Sequence, residues 1–271
     1  MSFHDGELEA QRRAGVVGNS NAIRHFMPDQ HRQFFEQQPY LLVATLDADG
    51  APRASVLHGE TGFVHTPDDT SIAITAASDL APGRPAGLLG LDFSTRRRNR
   101  ANGAVRSNAD GKLVLDVLES FGNCPQHITV RDVEAVPPRP SASHAFDGLD
   151  AAARELIAGA DTFFVATSGG AHGVDISHRG GPPGFVAIDG ATLAIPDFKG
   201  NRYFNTLGNM LLDDRVALLF IDFAQGDVLE LRGRAAIDWA SDLEGTRSWR
   251  FTCDGGTLTR AALPLRWVRR A

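Results

Sequence analysis

Leu42-Val43-Ala44-Thr45 returns 122 residues later as Phe164-Val165-Ala166-Thr167. At the same offset Gly62-Phe63-Val64 returns as Gly184-Phe185-Val186, and at 121 Ile72-Ala73-Ile74 returns as Leu193-Ala194-Ile195. Leu91-Asp92-Phe93 matches Ile221-Asp222-Phe223, and Gly103 matches Gly233, both at 130. Five short matches in one order at nearly constant offset point to internal duplication rather than chance. Each match is a short apolar or β-branched run between turn residues, the pattern of a strand. Many such strands, few helices and glycine-rich turns predict a mainly β chain of two tandem β-barrels or sandwiches, one per repeat.

Around this frame the chain divides readily. Residues 1–29 are polar and read as an arm that packs on another part of the protein. A short helix is predicted from Met27-Pro28-Asp29, with Phe34 and Phe35 on its buried side and Pro39 ending it. The first repeat then runs over 30–135. Pro137-Pro138-Arg139-Pro140 marks a linker, residues 136–149. A helix from about Asp150 to Ala158 leads into the second repeat, 150–271.

The offset grows by nine between the third and fourth matches, so the second repeat has an expanded loop there. That loop is Pro196-Asp197-Phe198-Lys199-Gly200-Asn201-Arg202-Tyr203-Phe204-Asn205-Thr206-Leu207-Gly208-Asn209-Met210. It holds fixed cations, neutral N–H and O–H donors, and glycines that let backbone amides approach a ligand. This is the donor inventory a phosphate requires. A solvated loop followed by an ordinary helix has the same composition. In the first repeat the corresponding loop has only Arg84 as a cation, but Ser94-Thr95-Arg96-Arg97-Arg98-Asn99-Arg100 is strongly basic. If extended, it puts Arg96, Arg98 and Arg100 on one face and Arg97 and Asn99 on the other. Its second-repeat counterpart, Ala224 to Glu230, has no cation. Arginines in one repeat and a donor loop in the other predict one composite anion site between the repeats. A basic edge strand kept soluble by its charges is the plainer account.

Composition excludes several function classes. A net charge of −6 over 271 residues argues against general nucleic-acid or anionic-membrane binding. Two distant cysteines, Cys124 and Cys253, make no disulfide framework and suit a reducing compartment. The first ten residues carry His4, Asp5, Glu7 and Glu9 without an apolar core, so no signal peptide is read and the cytoplasm is expected. His4, Asp5 and Glu7 lack metal-ligand spacing and read as a mobile terminus, so no metal is expected. Cys124 has no neighbouring base that would activate a thiolate. Walker, G-x-S-x-G, H-E-x-x-H and strand-linked G-x-G-x-x-G motifs are missing from the sequence.

Three segments together resemble the pyridoxamine 5′-phosphate oxidase-like, FMN-binding split-barrel superfamily, in its tandem, oxidase-related members. They are Gly173 through Val186 (Gly-Val-Asp-Ile-Ser-His-Arg-Gly-Gly-Pro-Pro-Gly-Phe-Val), Asp197 through Asn209, and Phe121-Gly122-Asn123-Cys124-Pro125-Gln126. The resemblance spans about residues 30–237 and implies two tandem split β-barrels with FMN at a barrel–barrel interface. It places the phosphate in the loop after the third strand, here Lys199, Gly200, Asn201, Arg202, Asn205 and Thr206, although the family's Ser-Arg-Lys tripeptide does not occur there. The isoalloxazine would lie along Asp175, Ile176, Ser177, His178 and Arg179, with Arg98 and Arg100 reaching it from the opposite repeat. The tail, Leu263-Pro264-Leu265-Arg266-Trp267-Val268-Arg269-Arg270, lacks the Arg-x-His of authentic pyridoxamine phosphate oxidases. The expectation is an FMN-dependent oxidoreductase of unknown substrate, with no catalytic side chain assigned. A divergent pyridoxamine 5′-phosphate oxidase and a non-catalytic flavin- or haem-binding carrier or sensor are the alternatives. A homodimer remains compatible with either.

Overall fold

The computed structural model describes residues 3–200, 202–240 and 247–270. Two helices open the chain, α1 (Asp5–Arg13) and α2 (Asp29–Glu36). The first repeat supplies β1 (Tyr40–Leu46), β2 (Pro52–His58), β3 (Val64–Asp68), β4 (Ser71–Thr75), β5 (Pro85–Asp92), β6 (Arg97–Ala109) and β7 (Lys112–Gly122). β8 (Arg131–Ala135) and β9 (Ala142–Asp147) follow, then α3 (Ala151–Gly159). The second repeat supplies β10 (Thr162–Ser168), β11 (Val174–Gly180), β12 (Ala187–Asp189), β13 (Thr192–Pro196), α4 (Asn205–Leu212), β14 (Arg215–Asp222), β15 (Asp227–Asp238), β16 (Ser248–Arg260) and β17 (Leu265–Arg269).

The duplication is visible in the sheets. The first has the order β2-β1-β5-β6-β7-β4-β3 and the second β11-β10-β14-β15-β16-β13-β12. Adding nine to every strand of one gives the other. In neither sheet are the two end strands hydrogen-bonded together, so the protein is two tandem split β-barrels. Small details repeat as well. The register shifts opposite Asn102 and Gly103 of β6, where β7 carries the extra residue Leu118, and opposite Arg232 and Gly233 of β15, where β16 carries the extra residue Asp254. A Cβ on Gly103 would fall 1.7 Å from the Asp116 carbonyl oxygen, and one on Gly233 2.1 Å from that of Thr252. The backbones pass too closely there for any side chain. Asp92 and Asp222 each close the turn that follows them, accepting from the amides of Ser94 and Ala224, both at 2.8 Å.

The apolar runs are continuous because the central strands are covered on both faces. On β1, Leu41 and Val43 point into the first barrel, while Tyr40, Leu42 and Ala44 point into a core shared by both repeats. On β10, Phe163 and Val165 fill the second barrel, while Phe164 and Ala166 meet the same shared core. Each alternation is strict, yet every position is apolar. The equivalent residues Phe93 and Phe223 meet edge to face in that core, with ring centroids 5.1 Å apart.

Three expectations need amendment. The terminus is not mobile at His4 and Glu7. His4 caps α1, its Nδ1 accepting from the Gly6 amide at 3.1 Å, and Glu7 returns the bond to the His4 amide at 2.9 Å. α1 lies against α4, so closely that a Cβ on Gly6 would reach 2.3 Å from the Gly208 carbonyl oxygen. The helix went unread because it is almost wholly polar, its partner being a second helix rather than a barrel. The linker 136–149 contains β9, which pairs with β16. β9 is exposed on nearly every residue, so it has no apolar alternation to read. The basic run is no edge strand: β6 lies between β5 and β7, and Arg96 is in the preceding turn at φ 58°. Among the described residues no helix is long and apolar enough to cross a membrane.

Candidate functional site

The expanded loop leaves the end of β13 and returns through α4. Two non-glycine residues in it, Arg202 (φ 65°) and Phe204 (φ 64°), hold left-handed backbone. Each costs about 1–2 kcal/mol, a strain found where geometry serves a site. Beneath the loop runs β11, whose alternation sends Asp175, Ser177 and Arg179 to one side and Ile176 to the shared core. From the first repeat, β6 sends Arg98 and Arg100 to the same place. Arg97 turns away and its guanidinium covers Phe34, 4.7 Å from the ring centroid.

Between these elements lies a cavity of about 500 Å³, within the range of roughly 300–1,000 Å³ usual for small-molecule sites. Of the residues singled out in the sequence, Arg98, Arg100, Ser177, His178, Arg179, Lys199, Gly200, Arg202, Asn205 and Thr206 line it. Asp175 stands behind Arg100, Ile176 is buried in the core, and Asn201 lies outside the described residues. The repeats thus converge on one composite cleft, built within a single chain.

Its cations are in two conditions. Arg100 is paired: Nη1 is 2.7 Å from both oxygens of Asp175, and Nη2 donates to Ser177 Oγ at 2.7 Å. Ser177 in turn bonds Thr206 Oγ1 at 2.7 Å, which ties β11 to the first turn of α4. Arg179 is also paired, donating to Asp197 at 2.8 Å, and Arg247 donates to the same carboxylate at 3.1 Å. Lys199 and Arg202 are exposed and have no hydrogen bond or ion pair among the described residues. Arg98 bonds His178 and the Cys124 carbonyl but no carboxylate. Burial, then the neighbouring Arg100, pulls its guanidinium down to about 9. The Nε atoms of Arg98, Arg100, Arg179 and Arg247, and Nε2 of His178, are buried without a partner among the described residues. Lys199 and Arg202 thus present unspent donors to the cavity, which suits a ligand with several acceptor oxygens.

Sequence reasoning missed Arg247, Asp197 as the shared acceptor of two arginines, and the arm, whose Ala14 and Val16 close one side of the cavity. Gln11 holds the arm down, donating to the Tyr203 carbonyl at 3.1 Å and accepting from the Gly18 amide at 3.0 Å.

The cleft has a counterpart related by the duplication, a cavity of about 470 Å³. There Glu230 of β15 occupies the position of Arg100, and Arg53 of β2 that of Asp175, so the charges are exchanged. Burial pushes the Glu230 carboxyl upward in pKa, against the pull of Arg53.

Residues 149–249 match the sequence model of the family described as pyridoxamine 5′-phosphate oxidase. The second repeat, with α4 and β11, therefore carries that family's pattern, and the resemblance to the oxidase-like split-barrel superfamily holds. Among solved structures the chain is similar to a FAD-binding protein of Mesorhizobium loti. Identity is 12%, with 44% of this chain and 99% of that one covered, at a TM-score of 0.33. It is also similar to a Clostridium acetobutylicum protein of the pyridoxinephosphate oxidase family, related to general stress protein 26 of B. subtilis. Identity there is 16%, with 44% and 92% covered, at a TM-score of 0.31. No curated protein matches the chain.

Proposed function

We propose that the chain is a flavoprotein that binds one FMN in the composite cleft and acts as an FMN-dependent oxidoreductase. The observation that carries this is the convergence of Arg98 and Arg100 from one repeat with Lys199, Arg202 and Thr206 from the other on a single cavity of about 500 Å³. The match of the second repeat to the oxidase family supports flavin as the ligand class. Lys199 and Arg202, exposed and without partners among the described residues, are the groups to hold the phosphate, with Asn205 and Thr206 at the start of α4 beside them. β11 and the arginines of β6 would wall the ring system. Flavin, when bound, supplies two-electron chemistry that no side chain can. The chain's own contribution is position, positive potential and exclusion of water. Asp197, the one carboxylate lining this cavity among the described residues, is committed to Arg179 and Arg247, so no free carboxylate base stands there among the described residues.

That same shortage of acid and base groups favours, as a second reading, a flavin carrier without turnover. Reduction of the bound flavin by NADH or NADPH separates the two. A divergent pyridoxamine 5′-phosphate oxidase is disfavoured. β17, where its tail motif would lie, pairs with β8, and Arg266 and Arg269 are bound to Glu134 and Asp161. The test of the main reading is the absorbance spectrum of the purified protein with identification of the released chromophore. FMN at one per chain is expected. A colourless protein that also refuses added FMN would end the proposal.

A further inference from the structure

Arg98 is a largely buried cation without an anionic partner among the described residues. Its Nη1 lies 2.7 Å from Nδ1 of His178, its Nη2 donates to the Cys124 carbonyl, and its Nε has no partner among the described residues. A guanidinium has only donors, so the Nδ1 that faces it must be the acceptor. The ring proton of a neutral His178 therefore sits on Nε2. His178 is neutral, since burial, reinforced by Arg98, holds it well below the usual histidine range. It is only 7% exposed, yet Nε2 has no acceptor among the described residues. An unpaired buried charge and an unpaired buried N–H both oppose folding, and here they occur side by side.

Both residues line the main cavity and also a small annex of about 60 Å³ beside it, walled by Gln126, His127, Phe185 and Phe198. The rings of His127 and Phe198 stack 5.1 Å apart across its side. At about 10–15 Å³ for each water, the annex has room for a few waters or one carboxylate. Arg179 borders it but is committed to Asp197, and the exposed Lys199 borders it at the edge shared with the main cavity. One buried cation flanked by a neutral donor matches a single negative charge better than a dianion.

We propose that this annex is a carboxylate pocket, and that the protein's substrate is a small organic acid whose carboxylate accepts hydrogen bonds from Arg98 and His178. Arg202 lines only the main cavity and is left for the phosphate, while Lys199 borders both spaces and stands between the two anions. The inference rests on the flavin reading only in naming the acid a substrate. The anion pocket itself stands on the geometry of Arg98 and His178.

The test is calorimetric titration of benzoate into the full chain, with and without saturating FMN. Benzoate should bind the FMN-loaded protein, and Arg98→Met and His178→Phe should each weaken it at least tenfold. Arg98→Lys keeps the cation and serves if the methionine variant fails to fold. It should bind benzoate more weakly than the native chain because it lacks the Nε donor. Inorganic phosphate should displace FMN and leave benzoate binding unchanged. Exclusion of benzoate by FMN, absence of benzoate binding, or native affinity in the folded Arg98 variants would overturn the proposal. If FMN never binds but benzoate does, dependent on Arg98, the flavin reading falls and the carboxylate pocket stands. If FMN binds and benzoate does not, the reverse holds.

Discussion

Arg100, on β6 of the first repeat, sets Nη1 2.7 Å from both carboxylate oxygens of Asp175, on β11 of the second. The pair is the charged bolt between the repeats. Arg100 faces the basic cavity, and Asp175 faces an adjoining one lined by His4, Glu7 and Glu119. Both side chains are over nine-tenths buried. Removing one partner leaves the other charged, buried and unmatched, at a cost of about 3–5 kcal/mol. Asp175→Ala should therefore lower stability in urea denaturation by that amount. Arg100→Leu with Asp175→Leu should recover most of it. A double variant no more stable than the single would mean that the pair's value lies in the wider network of Ser177, Thr206 and Asn102.

The duplicated cleft has Glu230 in the place of Arg100 and Arg53 in the place of Asp175, with Arg53 bonded to Asp79 at 3.2 Å. A flavin phosphate or a reduced flavin would meet a carboxylate there. One FMN per chain is expected by quantified release and by calorimetry, and two per chain would refute the asymmetry. Exchanging the charges, Glu230→Arg with Arg53→Asp, should raise the affinity of the second cleft for inorganic phosphate without altering the first.

The phosphate assignment predicts a loss of affinity rather than of fold. Lys199 and Arg202 are exposed, so each charge-assisted contact is placed at the lower end, about 1.5 kcal/mol. The double alanine variant should bind FMN roughly a hundredfold more weakly. Its melting temperature without ligand should not change, because neither side chain has a partner among the described residues. Unaltered affinity in a fluorescence titration would remove these two residues from the site.

The repeat was legible because it is written in strands buried on both faces, where Leu42 to Thr45 and Phe164 to Thr167 tolerate little but apolar or β-branched side chains. The composite site was legible because Arg98 and Lys199 have no local reason to be where they are. What escaped reading lies in contacts between distant, polar segments. Asp197 is bound by Arg179 and by Arg247, fifty residues away in the chain, and no local pattern links them. The arm escaped for a similar reason: Gly6 and Gly208 matter only where two helices touch. Its hydrogen bonds, Glu7 to Asn205 and Gln11 to Tyr203, are made with the expanded loop and the helix that follows it.

The bulge glycines give a prediction on stability alone. Gly103→Ala places a methyl 1.7 Å from the Asp116 carbonyl oxygen, a backbone atom inside a sheet. The strands must part, and a loss of about 1–3 kcal/mol or more is expected. Gly159→Ala is the control. Nothing lies within 4 Å of its added Cβ, at the end of α3, and the helix gains up to about 1 kcal/mol. Equal melting temperatures for the two variants would show that the bulge yields freely.

Glu7 predicts how the arm responds to pH. Burial, opposed by the His4 amide and Asn205, raises its pKa to about 7, and Glu119 and Asp175 push the same way. Arg100 is the cation nearby, already held by Asp175 and in contact with Asn205 at 3.4 Å. A carboxyl whose folded pKa is raised favours the folded state while it keeps its proton. Its contribution is complete below the ordinary carboxylate range and is lost as pH rises through about 7. His4 is held below its usual value by burial, reinforced by His172. Docking of α1 on α4 should therefore loosen between about pH 5 and about pH 7. Hydrogen exchange of residues 5–13, corrected for the intrinsic rate, should show protection falling across that interval. Glu7→Gln should flatten the dependence. Equal protection at both pH values in the native chain would mean that the α1–α4 contact holds whether or not Glu7 is charged, and that the arm is a fixed wall of the cavity.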